Sequence, residues 1–168
     1  AVPAGCPLLF ETSSASATLG PKACMEMTKQ LEMHQRKSEV LQLPGDRFTG
    51  LETRNHLQSI VASNARVCSR EPNIVALFVT CSQIPHSCMP NTFIDSNQTH
   101  AVLRALDDLP EGAEVRVSYV PVSLCQQARQ AQLGRGFGQC QCQRCQDERT
   151  LDPQVAVQCS CGKAYFQV

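Results

Sequence analysis

The spacing of hydrophobic residues predicts two helices in the first third of the chain. The first covers residues 23–43, where good helix formers predominate until Pro44 and Gly45 end the pattern. Its apolar positions recur at helical spacing, at Met27, Leu31 and either Met33 or His34. The second runs from about Gly50 to Val61, with an apolar face made of Leu57, Ile60 and Val61. We expect both faces to pack in the core, a role more common for such methionines than a metal or cofactor site.

Beyond residue 74 the pattern becomes that of short strands. Residues 74–81 (IVALFVTC) form a continuous apolar run, which a helix or a strand explains equally well. Residues 92–95 and 99–106 flank a polar Ser-Asn-Gln turn and predict a β-hairpin. Alternation over residues 113–120 predicts another strand with one buried face, and residues 122–133 predict a short helix. This succession predicts an α+β fold.

The two ends of the chain show less pattern. Residues 1–21 are rich in Ala, Ser, Thr, Pro and Gly, which predicts an irregular entry segment. The chain begins at Ala1 rather than at a methionine, and its last residues, AYFQV, lie inside an apolar run typical of a strand. We therefore expect a piece of a longer protein.

Composition and charge exclude several classes of protein. The chain has 168 residues, which fits one domain, and its 15 basic and 15 acidic residues give a formal net charge of zero. That balance argues against direct nucleic acid binding, which needs a concentrated basic face. No apolar run reaches the roughly 18 residues that a membrane-spanning helix needs. We therefore expect neither nucleic acid nor a membrane among its partners.

The cysteines predict a metal site. There are 11 of them, an odd number in a chain without a recognisable secretory leader, so a disulfide framework is a poor explanation. Five fall within the 22 residues from Cys140 to Cys161. Clustered thiols in a reducing compartment are more often metal ligands than disulfides. We therefore expect a protein of the cytoplasm, the nucleus or both.

Cys140, Cys142 and Cys145 have the C-x-C-x2-C spacing that lets three thiolates converge on one tetrahedral zinc ion. The alternative, three free or disulfide-bonded cysteines, is less favoured. Zinc needs a fourth ligand, and spacing alone leaves several candidates open. These are Cys88, Cys125, Cys159, Cys161 and His86. Cys159 and Cys161, with Gly162 behind them, equally suit half of a zinc knuckle or two unremarkable thiols.

A second motif covers residues 85–91, with the sequence PHSCMPN. A cysteine protease is a weak interpretation of His86 and Cys88, because side chains two apart on an extended chain seldom meet as nucleophile and base. Tyr119, at the end of the predicted strand 113–120, is by itself explained as a core tyrosine with a satisfied hydroxyl.

Taken in order, these motifs resemble a known family. H-S-C-x-P-N, then E-G-x-E-V, then a strand ending in Ser-Tyr, then C-x-C-x2-C, resembles the C-terminal half of a SET-domain protein lysine methyltransferase, most closely the SMYD (SET and MYND) subfamily and its arthropod relatives. The resemblance covers about residues 60–146. It implies a SET-type β-clip fold with short strands, a helical insert and a zinc-bound post-SET tail.

The resemblance also implies a division of the chain into four segments. Residues 1–62 would be the irregular entry and the helical insert, and residues 63–121 the C-terminal part of the SET core. Residues 122–147 would form the post-SET zinc-binding segment, and residues 148–168 would begin a further region.

The implied activity is methyl transfer from S-adenosylmethionine to a lysine amine of a protein or peptide, a histone tail being one candidate. The resemblance makes Tyr119 the catalytic residue, whose hydroxyl lies beside the methyl group and the amine. Asn64, His86 through its backbone, and Phe137 would bind the cofactor, while Asn91 would hold the loop. Cys88 would join Cys140, Cys142 and Cys145 as the fourth ligand of a structural zinc ion.

Four features depart from the family pattern. Pro85 replaces an asparagine that contacts the cofactor, and proline has no N–H to offer. Gly138 stands where an aromatic ring usually stacks on the adenine, with Phe137 one position earlier. No opening G-x-G strand is found before residue 60, and no C-x2-C series matches a MYND finger. Two alternatives therefore remain: a SET-like zinc module that has lost catalysis and serves as an interaction scaffold, and an unrelated zinc-binding regulatory module.

Overall fold

A computed structural model of the chain describes residues 1–45, 56–134 and 136–147, and the backbone of two short strands beyond them. The elements, in chain order, are β1 (Pro7–Thr12), β2 (Ala15–Thr18), α1 (Ala23–Glu32), α2 (Lys37–Val40), α3 (His56–Asn64), β3 (Arg66–Val67), β4 (Ile74–Leu77), a 3₁₀ turn (Cys81–Gln83), β5 (Thr92–Ser96), β6 (His100–Ala105), α4 (Gln126–Leu133), α5 (Gln143–Gln146), β7 (Ala156–Gln158) and β8 (Ala164–Phe166). The predicted α+β class is confirmed.

The strands form two antiparallel three-stranded sheets, ordered β1-β6-β5 and β2-β4-β3, and a separate β7-β8 pair. The predicted hairpin is confirmed as β5 and β6, with Thr92 opposite Ala105 and Ser96 opposite Ala101. The apolar run after residue 74 forms β4 and then the 3₁₀ turn, so the strand interpretation of that run is correct.

The prediction of an irregular entry over residues 1–21 is wrong, because β1 and β2 both lie there. Strand β1 pairs with β6, and β2 pairs with β4, so each finds its partner far along the chain. Ala15 and Ala17 point into the core, whereas Ser16 between them is only partly covered. Hydrogen bonding to distant strands outweighs the weak local strand propensity of this Ser- and Ala-rich segment.

The single helix predicted over residues 23–43 is also corrected, because it is broken into α1 and α2. Met27 and Leu31 are fully buried as predicted, whereas Met33 is 92% exposed at the break. There the Arg36 backbone N–H donates to His34 Nδ1 at 3.1 Å, and the Arg36 guanidinium reaches the buried Glu11 carboxylate at 3.0 Å. These bonds to a side chain and to a distant strand replace the regular helical bonding.

Helix α3 carries the predicted buried face of Leu57, Ile60 and Val61. The first part of that predicted helix, residues 50–55, lies outside the described residues. The predicted helix after residue 122 is confirmed as α4. None of the helices in the described ranges is long and apolar enough to cross a membrane.

The strand predicted over residues 113–120 does not form a ladder. A single parallel bridge joins Val117 to His86, and Asn91 makes the neighbouring contacts with its side chain. The facing segment is a proline-containing loop, which cannot supply the continuous row of backbone groups that a strand requires. Residues 113–120 are therefore an extended segment fixed at a few points.

Three apolar clusters hold these parts together. The largest packs the three N-terminal helices against β2 and β4, with Met27, Leu31 and Ile60 fully buried. A second joins the two sheets through residues that include Ala76 and Ala101. The third joins the loop and the tail: Cys88, Val120 and Leu133 are buried, and Cys140, Cys142 and Cys145 pack against them. The candidate site is built around this third cluster.

Candidate functional site

The loop of residues 84–92 is fixed at its beginning by Glu11 of β1. The Glu11 carboxylate is buried and accepts hydrogen bonds from the backbone N–H groups of Thr80 at 2.8 Å and Cys81 at 2.9 Å. It also pairs with Arg36. An N-terminal strand thus holds the turn from which the loop starts.

Three backbone bonds tie the loop to the extended segment 113–120. Val117 N–H donates to the carbonyl of Pro85 at 3.1 Å, and Ser87 N–H donates to the carbonyl of Val117 at 2.9 Å. Thr92 N–H donates to the carbonyl of Arg116 at 3.2 Å. Asn91 adds two more bonds through its side chain, donating to Glu114 O at 2.8 Å and accepting from Arg116 N–H at 2.9 Å. The segment therefore reaches Tyr119 along a fixed path.

Three aromatic rings meet at the end of this path. The ring of Tyr119 lies 5.1 Å from that of His86 and 4.7 Å from that of Phe137, centroid to centroid. The Tyr119 hydroxyl donates to the carbonyl oxygen of Ile84. Loop, segment and tail each contribute one ring, so the contact joins three stretches of chain.

Hydrogen bonds assign the tautomer of His86. Burial lowers the pKa of this imidazole, which favours the neutral ring. Its Nδ1 accepts the backbone N–H of Tyr119 at 3.0 Å, so the ring proton belongs on Nε2. Nε2 lies 3.4 Å from Cys88 Sγ and donates toward that sulfur.

A cavity of about 860 Å³ opens beside Tyr119, and its walls include Asn64, Ser82 and Phe137. The size is within the range of small-molecule and cofactor sites. Asn64 Nδ2 donates to Pro44 O at 2.7 Å and Ile60 O at 2.8 Å. Its Oδ1 is buried and has no hydrogen-bond partner among the described residues. A cofactor bearing a hydrogen-bond donor, such as the amine or adenine of S-adenosylmethionine, fits this wall.

A second cavity, of about 680 Å³, has walls that include His86, Arg116, Gly138 and Cys140. Phe137 borders both cavities. Gly138 has φ +72°, in the left-handed region that an aromatic residue would adopt only with strain. Phe137, rather than position 138, therefore brings the tail's aromatic ring to Tyr119.

The structure brings four thiols together. The sulfurs of Cys88, Cys140, Cys142 and Cys145 all lie within 4.8 Å of one another. Cys125, another candidate for fourth ligand, is exposed and outside this group. Cys159 and Cys161 lie outside the described residues. Four converging thiols are the donor set of a closed tetrahedral zinc site, so these residues fit a structural zinc ion.

The four thiols are not equivalent. Burial is the largest influence on Cys88 and raises its pKa to about 12. Burial also acts on Cys142, but hydrogen bonds from the backbones of Cys88 and Cys145 and from the neighbouring thiols outweigh it and lower the pKa to about 6. Because the thiolate is the form that binds a metal, Cys142 is ready to bind at neutral pH.

Sequence reasoning missed the side chains that surround the cluster. Arg129 on α4 is fully buried beside it, and Arg144 Nη1 donates to Cys88 O at 3.0 Å and to Val122 O at 2.9 Å. Gln126 and Gln130 of α4 bond to the backbone of the tail. Their helical spacing is visible in the sequence, but a polar face normally indicates exposure to solvent.

No family model matches the chain. Among curated proteins, histone-lysine N-methyltransferase ASHR2 of Arabidopsis thaliana is 33% identical over 87 residues, covering 47% of this chain and 22% of its own length. Histone-lysine N-methyltransferase SMYD3 of Homo sapiens is 28% identical over 125 residues, covering 73% of this chain and 28% of its own. Histone-lysine N-methyltransferase ATXR4 of Arabidopsis thaliana is 40% identical over 73 residues, or 42% of this chain and 22% of its own.

The chain thus spans less than a third of the length of these curated relatives. The names of these relatives describe the activity that the order of motifs led us to expect. SMYD3 aligns with nearly three quarters of the chain. The resemblance identified from the sequence is confirmed: the chain is similar to curated histone-lysine methyltransferases, SMYD3 among them.

Proposed function

We propose that this chain forms the cofactor and lysine site of an S-adenosylmethionine-dependent protein-lysine N-methyltransferase of SMYD type, built on a SET-type β-clip. The observation that carries the proposal is the convergence of Asn64, Tyr119 and Phe137 on one cavity. These residues come from α3, the segment 113–120 and the tail, which are far apart in sequence. The names of the relatives support the same class of reaction.

The cofactor supplies an electrophilic methyl group when it is bound. On this chain, the unsatisfied Oδ1 of Asn64 would accept one of its hydrogen bonds, and Phe137 would cover it from the tail. Pro85 offers no N–H, and its carbonyl already accepts from Val117. The backbone of His86 and the side chain of Asn64 therefore have to replace the contact that Pro85 lacks.

Tyr119 orients the lysine amine. Because its hydroxyl proton is committed to Ile84 O, the phenol oxygen is left as an acceptor for an amine N–H. Such a bond aims the nitrogen lone pair along the line of transfer, a positioning effect. The amine must arrive neutral, since an ammonium has no lone pair, and the apolar surroundings favour its neutral form. The substrate is a lysine of a protein or peptide, with a histone tail as one candidate.

We further propose that Cys88, Cys140, Cys142 and Cys145 hold a structural zinc ion. The four sulfurs come from the loop and from the tail, so one ion would fasten the tail onto the loop. Phe137 lies three residues before the first tail ligand, and its ring contacts Tyr119. Zinc binding would thereby keep the cavity closed on the tail side.

Calorimetric titration of S-adenosylmethionine into the zinc-loaded chain tests the proposal. We expect saturable binding for the wild-type chain and at least tenfold weaker binding for Asn64→Ala, which loses a buried hydrogen-bond acceptor worth about 1.4 kcal/mol. Asn73→Ala, an exposed asparagine away from the cavity, is the matched control and should bind like wild type. No binding by a folded, zinc-loaded wild-type chain would contradict the proposal and favour an interaction scaffold.

A further inference from the structure

Helix α4 presents a polar face to the tail instead of to solvent. Gln126, Arg129, Gln130 and Leu133 recur at i, i+3, i+4 and i+7, and so share one side of the helix. The amide of Gln130 pairs with both backbone groups of Cys140, at 2.9 Å each. Gln126 donates to Cys145 O at 2.8 Å. The helix therefore holds the first and last of the tail's three cysteines by their backbone.

Arg129 lies at the centre of this face. It is the largest fully buried side chain among the described residues, and a guanidinium stays charged throughout the physiological pH range. Its Nη1 donates to the carbonyl oxygen of Leu124, and Leu133, one turn along the same face, packs in the apolar cluster that includes Cys88. Arg129 lines neither of the two cavities. Arg129 therefore lies against the thiol cluster and does not line the cavity proposed for methyl transfer.

The negative charge of a zinc ion with four thiolate ligands explains why the Arg129 cation is buried here. A zinc ion with four thiolate ligands is a dianion, and this one would lie against Val120 and Leu133 in an apolar cluster. Burying such a charge is costly unless an opposite charge and hydrogen bonds accompany it. Arg129 supplies a fully buried positive charge on the helix face that packs against this cluster, and Arg144 donates to the Cys88 carbonyl. Donors around metal ligands tune the affinity of a site.

We propose that Arg129 is the counter-charge of the metal site, and that its buried positive charge raises the affinity of the four thiolates for zinc. Arg129 acts on the thiolates through its charge and does not bind the metal. The inference rests on the zinc site of the proposed function. It predicts that removing this cation weakens metal binding even though every metal ligand is still present.

The test is zinc affinity, measured on the whole chain by competition with a chromophoric chelator. Arg129→Met removes the charge at similar volume, and we expect its zinc affinity to fall about 10- to 100-fold. Arg129→Lys keeps a cation without the forked donors, so its affinity should fall less, by about tenfold. Gln127→Met puts the same new side chain on the exposed face of α4 and should bind zinc like wild type.

Cobalt substitution adds a readout that a merely structural role would not change. Removing a buried positive charge beside the thiolates raises the energy of the sulfur lone pairs, so the thiolate-to-cobalt band of Arg129→Met should move to lower energy. In Gln127→Met the band should stay in place.

The outcomes separate this inference from the proposed zinc site. Equal zinc affinity in wild type and Arg129→Met, with an unmoved cobalt band, would overturn the role of Arg129 and leave the zinc site intact. A folded wild-type chain that binds no zinc would overturn both. If Arg129→Met does not fold, the neutral but polar Arg129→Gln decides, since wild-type zinc affinity in that variant contradicts the inference and weaker affinity supports it.

Discussion

Tyr119 is held at two points that serve different purposes. Its backbone N–H donates to His86 Nδ1, and its hydroxyl donates to Ile84 O. The first bond places the residue, and the second directs the oxygen lone pairs into the cavity. Changing the hydroxyl alone should therefore leave the backbone path in place, which makes Tyr119→Phe a clean test of its chemical role.

In Tyr119→Phe we expect methyl transfer to a lysine peptide to fall by about 100-fold, because the amine loses the acceptor that aligns it. Zinc content should not change, since the hydroxyl makes no contact with the four thiols. Transfer of radiolabelled methyl groups and metal analysis of the same sample are the measurements. Unchanged turnover would remove Tyr119 from the mechanism.

At the scale of elements, the segment 113–120 shows how a side chain substitutes for a strand partner. Asn91 meets Glu114 O and Arg116 N–H with the two ends of its amide, as a neighbouring backbone would. The segment can then run beside a loop whose prolines prevent regular pairing. Asn91 therefore supplies two of the contacts that fix the segment.

Asn91→Ala should loosen this segment, and the Arg116 amide, which loses its acceptor, should exchange with deuterium about tenfold faster. Amide exchange followed by NMR measures this directly. Asn73→Ala is again the control, because the hydrogen bond that the exposed Asn73 makes within the described part of the chain uses its backbone carbonyl and not its side chain. Exchange at Arg116 that matches the wild-type rate would show that the backbone bridge at Val117 is sufficient.

The local sequence pattern was enough to predict the elements whose contacts lie close together in the chain. Helix α3 has its apolar face in nine consecutive residues, and the β5-β6 hairpin has its partner beside it. Strands β1 and β2 and the segment 113–120 depend on partners distant in sequence, which periodicity does not reveal. The order of motifs led to Cys88, Asn64 and Tyr119, whereas Arg129 was missed because a buried charge on a helix has the same pattern as an exposed one.

At the scale of the whole molecule, Glu11 connects three parts of the chain. It belongs to β1, binds Arg36 between α1 and α2, and holds the turn before the site loop through Thr80 and Cys81. Burial and the Glu11 carboxylate together raise the pKa of Cys81 to about 12, so that thiol remains protonated. One carboxylate thus links the N-terminal strand, the helical part and the site.

Glu11→Gln should lower the free energy of unfolding by about 2 kcal/mol, because an amide nitrogen then faces a buried backbone N–H that loses its acceptor. Urea denaturation followed by circular dichroism measures the change. Glu39→Gln is the matched control, since Glu39 also pairs with Arg36 but is 53% exposed, and we expect a much smaller loss of stability. Similar losses in both variants would mean that Glu11 acts only through Arg36.

The pairing of β1 with β6 has a consequence for the synthesis of the protein. In this pairing Thr12 lies opposite His100 and Pro7 opposite Arg104, and β2 pairs with β4 in the same way. During translation β1 and β2 therefore leave the ribosome long before their partners exist, with unpaired edges and apolar side chains exposed to solvent. Closing so long a loop is slow. Residues 7–18 are thus an aggregation-prone stretch of the nascent chain until β4 and β6 have been made.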